Sequence, residues 1–155
     1  MPQKYRFERV PGPCDTLPES PCWHGSTHRL FWIDHGSRDL RSVRFPEREF
    51  FAVPLETKGN LRFVKSLNTT HLIVASECGL YRFGIEERQL TPIGGALPLS
   101  KGTCLNDGAV HPSGTIAIAV SDIDESDPTG GFYVLSGDDW TCIRRNIVIG
   151  NGPAF

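Results

Sequence analysis

Short apolar runs of the kind that form β-strands recur at nearly equal spacing along this chain. Three of them occupy residues 30–34, 72–76 and 116–120, so they start 42 and 44 residues apart. Each is followed by a turn and then by a segment in which apolar and polar side chains alternate, as in a half-buried strand. The 3.6-residue period of an amphipathic helix is nearly absent. The pattern therefore predicts an all-β fold built from a repeated unit.

The first repeat unit contains three predicted strands, at residues 29–34, 40–45 and 50–55, and the next two units follow the same order. A period of this length is typical of the four-stranded blades of a β-propeller. A propeller ring needs about four to eight blades, whereas this chain has room for about three. We therefore expect a partial β-propeller with about three blades.

The chain divides into two predicted parts. Residues 1–16 contain prolines and no strand-like run, which predicts an extended lead-in. Residues 17–155 contain the repeat units and form the predicted partial propeller. Residues 151–155 join a small-residue turn to an apolar residue and resemble the start of a fourth unit. We therefore expect the chain to be the N-terminal part of a longer propeller.

Composition and charge narrow the possible partners. The 155 residues include 16 Lys and Arg against 18 Asp and Glu, a net charge of -2, so the basic surface that nucleic acid requires is not expected. No run approaches the roughly 20 apolar residues that span a bilayer, and the start lacks a secretory apolar segment. The 5 cysteines are widely spaced and do not suggest a disulfide framework. We expect a cytoplasmic protein that binds neither nucleic acid nor membranes.

Polar residues at the predicted unit boundaries, outside the predicted strands, are the candidates for chemistry. They are Glu19, the pair Asn106 and Asp107, the acidic loop 122–127, and Asn151. Loops from successive blades meet around the central channel of a propeller, so these residues are expected to share one site. Their carboxylate and amide oxygens suit a hard cation such as calcium. Taken singly, the Asn-Asp-Gly triplet also fits an ordinary turn, and the acidic loop also fits a solvated loop or the rim of the site.

Five segments, in order along the chain, carry a resemblance to a known family. They are residues 17–23, 29–34, 78–83, 105–114 and 150–155. They resemble motifs of the family of senescence marker protein-30 (regucalcin), gluconolactonase and the luciferin-regenerating enzyme. The first segment is similar to Gly-Glu-Ser/Gly-Pro-x-Trp, the fourth to Leu/Phe-Asn-Asp-Gly, and the last to Ser-Asn-Gly-Leu-Ala-Phe. Together the segments span the chain from residue 17 to its last residue.

The resemblance implies a six-bladed β-propeller that binds one divalent cation in its channel and hydrolyses a lactone or a related ester. Carried over by motif, Glu19 and Asn151 are metal ligands, while Asn106 and Asp107 contact the substrate. We expect Asp107, or a carboxylate from a later blade, to accept a proton from water. Calcium is the expected metal, and zinc, magnesium and manganese are alternatives. The expected substrate is a lactone or a small molecule resembling a sugar acid.

One departure from the family pattern affects the expected substrate. The family often has an arginine two residues before the Asn of Asn-Asp-Gly, where it contacts the sugar-acid substrate, and Cys104 occupies that place in the substrate pocket here. Loss of a guanidinium removes a rigid set of hydrogen-bond donors. The alternative function is therefore a non-catalytic β-propeller that binds calcium or a partner. Self-association through open blade faces is a further possibility.

Overall fold

The computed structural model describes residues 7–9, 12 and 14–155. These residues form twelve β-strands and one short 3-10 turn (Gly25–Thr27), with no α-helix among them. Within this part of the chain no helix has the length and apolar character to cross a membrane. Much of the predicted lead-in, residues 1–6, 10, 11 and 13, lies outside the described residues.

The strands form three antiparallel four-stranded sheets. The first contains β1 (Pro18–His24), β2 (Arg29–Asp34), β3 (Asp39–Arg44) and β4 (Glu49–Pro54). The second contains β5 (Leu61–Ser66), β6 (His71–Ser76), β7 (Gly79–Gly84) and β8 (Leu90–Pro92). The third contains β9 (Thr103–Val110), β10 (Ile116–Asp122), β11 (Gly130–Ser136) and β12 (Asp139–Ile147). Each sheet pairs its strands in chain order, which confirms the all-β fold and its three repeat units.

Each unit contains one strand more than the sequence analysis predicted. β1, β5 and β9 precede the strongly apolar strands and lie side by side at the inner edges of neighbouring sheets. The prediction that Glu19, Asn106 and Asp107 lie outside strands is therefore wrong, because Glu19 is in β1 and the other two are in β9. Their prolines, charges and Asn-Asp-Gly triplet have low β-propensity, and pairing with the adjacent apolar strand compensates for it.

Two hydrophobic clusters fill the spaces between the sheets. One lies between the first and second sheets and includes Ile33, Leu61 and Leu72. The other lies between the second and third sheets and includes Ile73 and Ile118. Adjacent residues of β6 therefore enter different clusters, which explains why this strand is almost continuously apolar instead of alternating.

A β-bulge interrupts each of the three inner strands near the same end. In β5 the pairing with β6 passes from Leu61 to Phe63, which leaves Arg62 as the extra residue. In β9 the pairing with β10 passes from Leu105 to Asp107, which leaves Asn106 as the extra residue. The pairing of β1 with β2 shifts in the same way between residues 19 and 22. Because a bulge bends a strand and re-aims its side chains, these shifts decide which residues face the space between the inner edges.

Gly108 of the Asn-Asp-Gly triplet is a packing residue rather than part of a turn. It lies in β9, and a Cβ atom at this position would overlap the ring of Phe63 from the second sheet. Phe63 is 0% exposed and belongs to the cluster between the two sheets. The close approach of β9 to this ring therefore requires glycine.

We expect Gly108→Ala to lower the free energy of unfolding by about 1–3 kcal/mol, because the added methyl group overpacks this contact. Gly25→Ala is the matched control, since the nearest atom to its Cβ would be Trp23 Nε1 at 3.9 Å. Urea denaturation followed by circular dichroism measures both. Equal midpoints for the two variants would contradict the packing role of Gly108.

Candidate functional site

A cavity of about 510 Å³ opens where the inner strands carry their bulges. Its lining includes Glu19, Asn106, Asp107 and Asn151, the four oxygen-bearing residues that the sequence analysis placed in one site. The other lining residues are Leu17, Ser20, His35, Arg62, Lys65, Glu125 and Ile149. The volume lies within the usual range for small-molecule sites. Four of the five predicted site residues are therefore brought together.

Cys104, the fifth predicted site residue, does not line this cavity. It precedes the bulge in β9 and is 5% exposed. Burial raises the pKa of its thiol, and the positive charge of Arg62 partly opposes that rise. Cys104 is therefore a buried neutral thiol at pH 7 and does not replace the hydrogen-bond donors of an arginine.

Glu19 is held at the cavity by the segment that precedes it. The backbone amides of Thr16 and Leu17 donate hydrogen bonds of 3.3 and 2.9 Å to the carboxylate of Asp34, the last residue of β2. Burial raises the pKa of Asp34, but these two bonds and one from the Gly36 amide outweigh it, so the pKa is lowered overall. Asp34 is thus an ionised anchor at neutral pH. The Glu19 side chain itself is 46% exposed, with Oε2 3.2 Å from Nε2 of His35.

The side chains of Asn106 and Asp107 position the segment that contains Asn151. Nδ2 of Asn106 donates a 2.9 Å hydrogen bond to the carbonyl oxygen of Gly150. The Gly152 amide donates a 3.0 Å bond to Oδ2 of Asp107, while Oδ1 accepts from the Gly108 amide at 2.7 Å. Both neighbours of Asn151 are therefore tied to β9. The Asn-Asp pair has a structural role in the site in addition to any contact with a ligand.

Two basic residues of β5, Arg62 and Lys65, also line the cavity, and the sequence analysis did not identify them. Arg62 donates a 2.9 Å hydrogen bond from Nη2 to Oε1 of Glu77. Nζ of Lys65 lies 3.4 Å from Oδ1 of Asp107. The repeat period in the sequence identifies Arg62 as a candidate, since it lies 43 residues after Glu19 and 44 before Asn106. Counting one period from either residue leads to Arg62.

The acidic loop after β10 is ordered by Asp122 and brings Glu125 to the cavity. The Asp122 carboxylate accepts hydrogen bonds from the Thr129 hydroxyl at 2.8 Å and from the Ser126 and Asp127 amides at 3.1 and 3.3 Å. The Thr129 bond, followed by these amide bonds, lowers the pKa of Asp122. Of the two interpretations left open for this loop, a role at the rim of the site agrees with the position of Glu125.

The carboxylate and amide oxygen atoms that line the cavity suit a hard cation, but few residues supply them. Glu19 offers a half-exposed carboxylate, and Oδ1 of Asn106 accepts no hydrogen bond from the described residues, since this amide is engaged through Nδ2. Asn151 adds a second amide. No group of three or more His, Cys, Asp and Glu side chains with metal-site geometry occurs among the described residues. Calcium takes six to eight oxygen ligands, so these residues would hold it together with further oxygens.

Comparisons with known proteins agree with the fold and with the sequence motifs. The sequence model of the SMP-30/Gluconolactonase/LRE-like region matches residues 17–155. A Rhizobium meliloti (strain 1021) protein with the provisional name sugar lactone lactonase is 25% identical over 139 residues, which cover 90% of this chain and 46% of that protein.

Solved structures show the same likeness. A calcium-binding protein, regucalcin, from Agrobacterium tumefaciens superimposes with a TM-score of 0.71 at 20% identity, covering 86% of this chain and 44% of that one. A luciferin-regenerating enzyme superimposes with a TM-score of 0.75 at 22% identity, covering 89% and 48%. The chain thus spans less than half the length of each of these relatives. At these identities the structural matches establish the fold.

We expect the acidic loop to open at low pH. Because the pKa of folded Asp122 is lowered, its hydrogen bonds stabilise the loop above the ordinary aspartate pKa, and this contribution is lost as the pH falls through the folded-state value. Hydrogen exchange of the Ser126 and Asp127 amides, corrected for intrinsic rates, should accelerate across this window. Asp122→Ala should remove the protection already at pH 7, whereas Asp124→Ala, in the same loop, should retain it. Protection that persists in Asp122→Ala would refute this role.

Proposed function

The chain belongs to the SMP-30/gluconolactonase/LRE-like family, and on that premise we propose that it forms part of a metal-dependent lactone hydrolase. The observation that carries the proposal is the gathering of Glu19, Asn106, Asp107 and Asn151 around one cavity. They come from the first sheet, the third sheet and the segment after β12, so only the fold brings them together. The lactonase name of the Rhizobium relative supports the same reaction class.

In this proposal Glu19 and Asn151 hold one divalent cation through their side-chain oxygens. Calcium agrees best with an all-oxygen set and with the calcium-binding description of the Agrobacterium regucalcin. Zinc, magnesium and manganese are the alternatives. When bound, such a cation polarises the lactone carbonyl as a Lewis acid and orients the attacking water.

Asn106 and Asp107 act on the substrate side of the proposed site. Oδ1 of Asn106 accepts no hydrogen bond from the described residues, so it is available to a substrate hydroxyl, while Nδ2 donates to the Gly150 carbonyl. Asp107 accepts the proton of the attacking water on its carboxylate, which its two backbone hydrogen bonds hold in a fixed orientation. The bond between the carbonyl carbon and the ring oxygen then breaks, and Asp107 returns the proton to that oxygen, which leaves as the hydroxyl of the product acid.

A non-catalytic calcium-binding propeller is the second candidate function. The contact that favours it is the 3.4 Å approach of Lys65 Nζ to Oδ1 of Asp107, because this ion pair and two backbone hydrogen bonds already engage both carboxylate oxygens. In this alternative Glu19 and Asn151 bind the cation and Asp107 only positions the segment that contains Asn151. Cation binding without turnover distinguishes it from the hydrolase.

We also propose that the protein is cytoplasmic and that copies of it associate with one another. Large apolar side chains are exposed on the described part of the chain, for example Trp23 at 52% and Ile143 at 62%. Contact between copies would remove such surface from water. The substrate remains a small lactone in every version of the hydrolase proposal.

The hydrolase proposal predicts chelator-sensitive turnover of aldonolactones, measured by acid release in a pH-stat with calcium, with zinc or with chelator. Asp107→Asn should lower kcat by about 10²-fold or more, the usual contribution of a general base. Glu19→Gln should raise the calcium concentration required for activity, because it removes the carboxylate ligand. Asp124→Asn is the matched control, since it removes an exposed carboxylate outside the cavity lining.

Turnover that survives chelator, or that survives Asp107→Asn, would contradict this mechanism. A calcium-dependent rise in melting temperature without lactone turnover would favour the binding alternative. The same assay on the complete product of the gene tests whether residues outside this chain are required.

A further inference from the structure

The proposed hydrolase mechanism makes no use of Arg62 and Lys65, although both line the cavity. They are three residues apart on β5, and their side chains are 20% and 29% exposed. We propose that these two residues form a subsite for a carboxylate, so that the substrate is a lactone carrying a carboxylate at the end remote from the reacting carbonyl. This inference rests on the proposed function for its reaction, but not for the binding of the anion.

A purely structural role leaves part of each basic group unexplained. Arg62 makes one hydrogen bond, to Glu77, while its Nε is buried and has no hydrogen-bond partner among the described residues. A buried donor without a partner loses the hydration it has in the unfolded chain. A ligand carboxylate in the cavity would accept hydrogen bonds from the Nη donors of Arg62 that Glu77 does not occupy.

Lys65 likewise has N–H donors that its contact with Asp107 does not use. Its Nζ lies 3.4 Å from Asp107, longer than the usual 2.7–2.9 Å of a charge-assisted hydrogen bond. Each oxygen of Asp107 already accepts a backbone hydrogen bond. An ammonium group has three donors, so Lys65 can contact both Asp107 and a carboxylate on the ligand.

The positions of the charges set the direction in which a substrate would lie. The oxygen ligands Glu19 and Asn151 come from the first sheet and from the segment after β12, whereas both basic residues come from β5. A six-carbon lactone fits a cavity of about 510 Å³. Its carbonyl would then lie near the oxygen ligands and Asp107, and its carboxylate against Arg62. Lys65, 3.4 Å from Asp107, would lie between the two ends.

A matched pair of lactones tests the subsite. D-glucaro-1,4-lactone and D-glucono-1,4-lactone differ in one group, a carboxylate in place of a hydroxymethyl group. We expect kcat/KM to favour the glucarolactone by about tenfold or more, the usual effect of a hydrogen bond between charged groups. Arg62→Gln and Lys65→Met should each reduce this ratio towards one, whereas Lys65→Arg should retain it.

Arg82→Gln and Lys101→Met are the matched controls, because both residues are exposed and neither lines the cavity. They should leave the ratio unchanged. Melting temperatures of all variants without ligand distinguish loss of the subsite from loss of the fold. A ratio near one in the wild-type chain would overturn the subsite and leave the hydrolase proposal intact.

A binding measurement separates the two proposals. D-glucarate should raise the melting temperature more than D-gluconate does at equal concentration, and Arg62→Gln should abolish the difference. If neither lactone is hydrolysed but this difference is present, the carboxylate subsite stands and the hydrolase proposal fails. If both acids give the same shift, the subsite is refuted whatever the turnover.

Discussion

The site depends on the burial of β6 on both of its faces. Because Leu72 and Ile73 enter different hydrophobic clusters, the second sheet is packed between the first and the third. Both side chains are 0% exposed, so β6 is desolvated on both of its faces. The packing places β5 between β1 and β9. Polar residues on three inner strands therefore meet at one cavity, although β1 and β9 have a weak β-propensity of their own.

Bulges then convert this packed arrangement into a polar opening. A regular strand would continue to alternate its side chains between the two faces that the neighbouring sheets cover. The extra residues Arg62 and Asn106 break the alternation at the same level in β5 and β9. Their polar groups are thereby directed to the space between the strands, where a ligand or water can contact them. Only one residue in each strand loses its regular pairing with the neighbouring strand.

Much of the fold was predictable from the sequence, because β2 and β6 combine an apolar run with clear turns at both ends. The predicted strand 29–34 has the bounds of β2, and the apolar run 72–76 covers all but the first residue of β6. The inner strands were missed because their signal is tertiary: Glu19 and Asn106 are in strands through pairing with apolar neighbours. No local preference of an Asn-Asp-Gly triplet predicts that it lies in a strand against a phenylalanine ring.

The candidate site was predictable to the extent that its residues belong to motifs. Glu19 and Asn151 were identified in that way, whereas Arg62 was found only in the structure.

The position of Arg62 also alters how the cysteine at position 104 is interpreted. The cysteine removes a guanidinium from β9, but Arg62, on the neighbouring inner strand β5, lines the cavity. The cavity therefore retains a guanidinium that approaches from a different sheet. Under the proposed carboxylate subsite, the acceptor on the substrate is displaced in the same way, so Arg62 on β5 would contribute more to substrate choice than the absence of an arginine at Cys104.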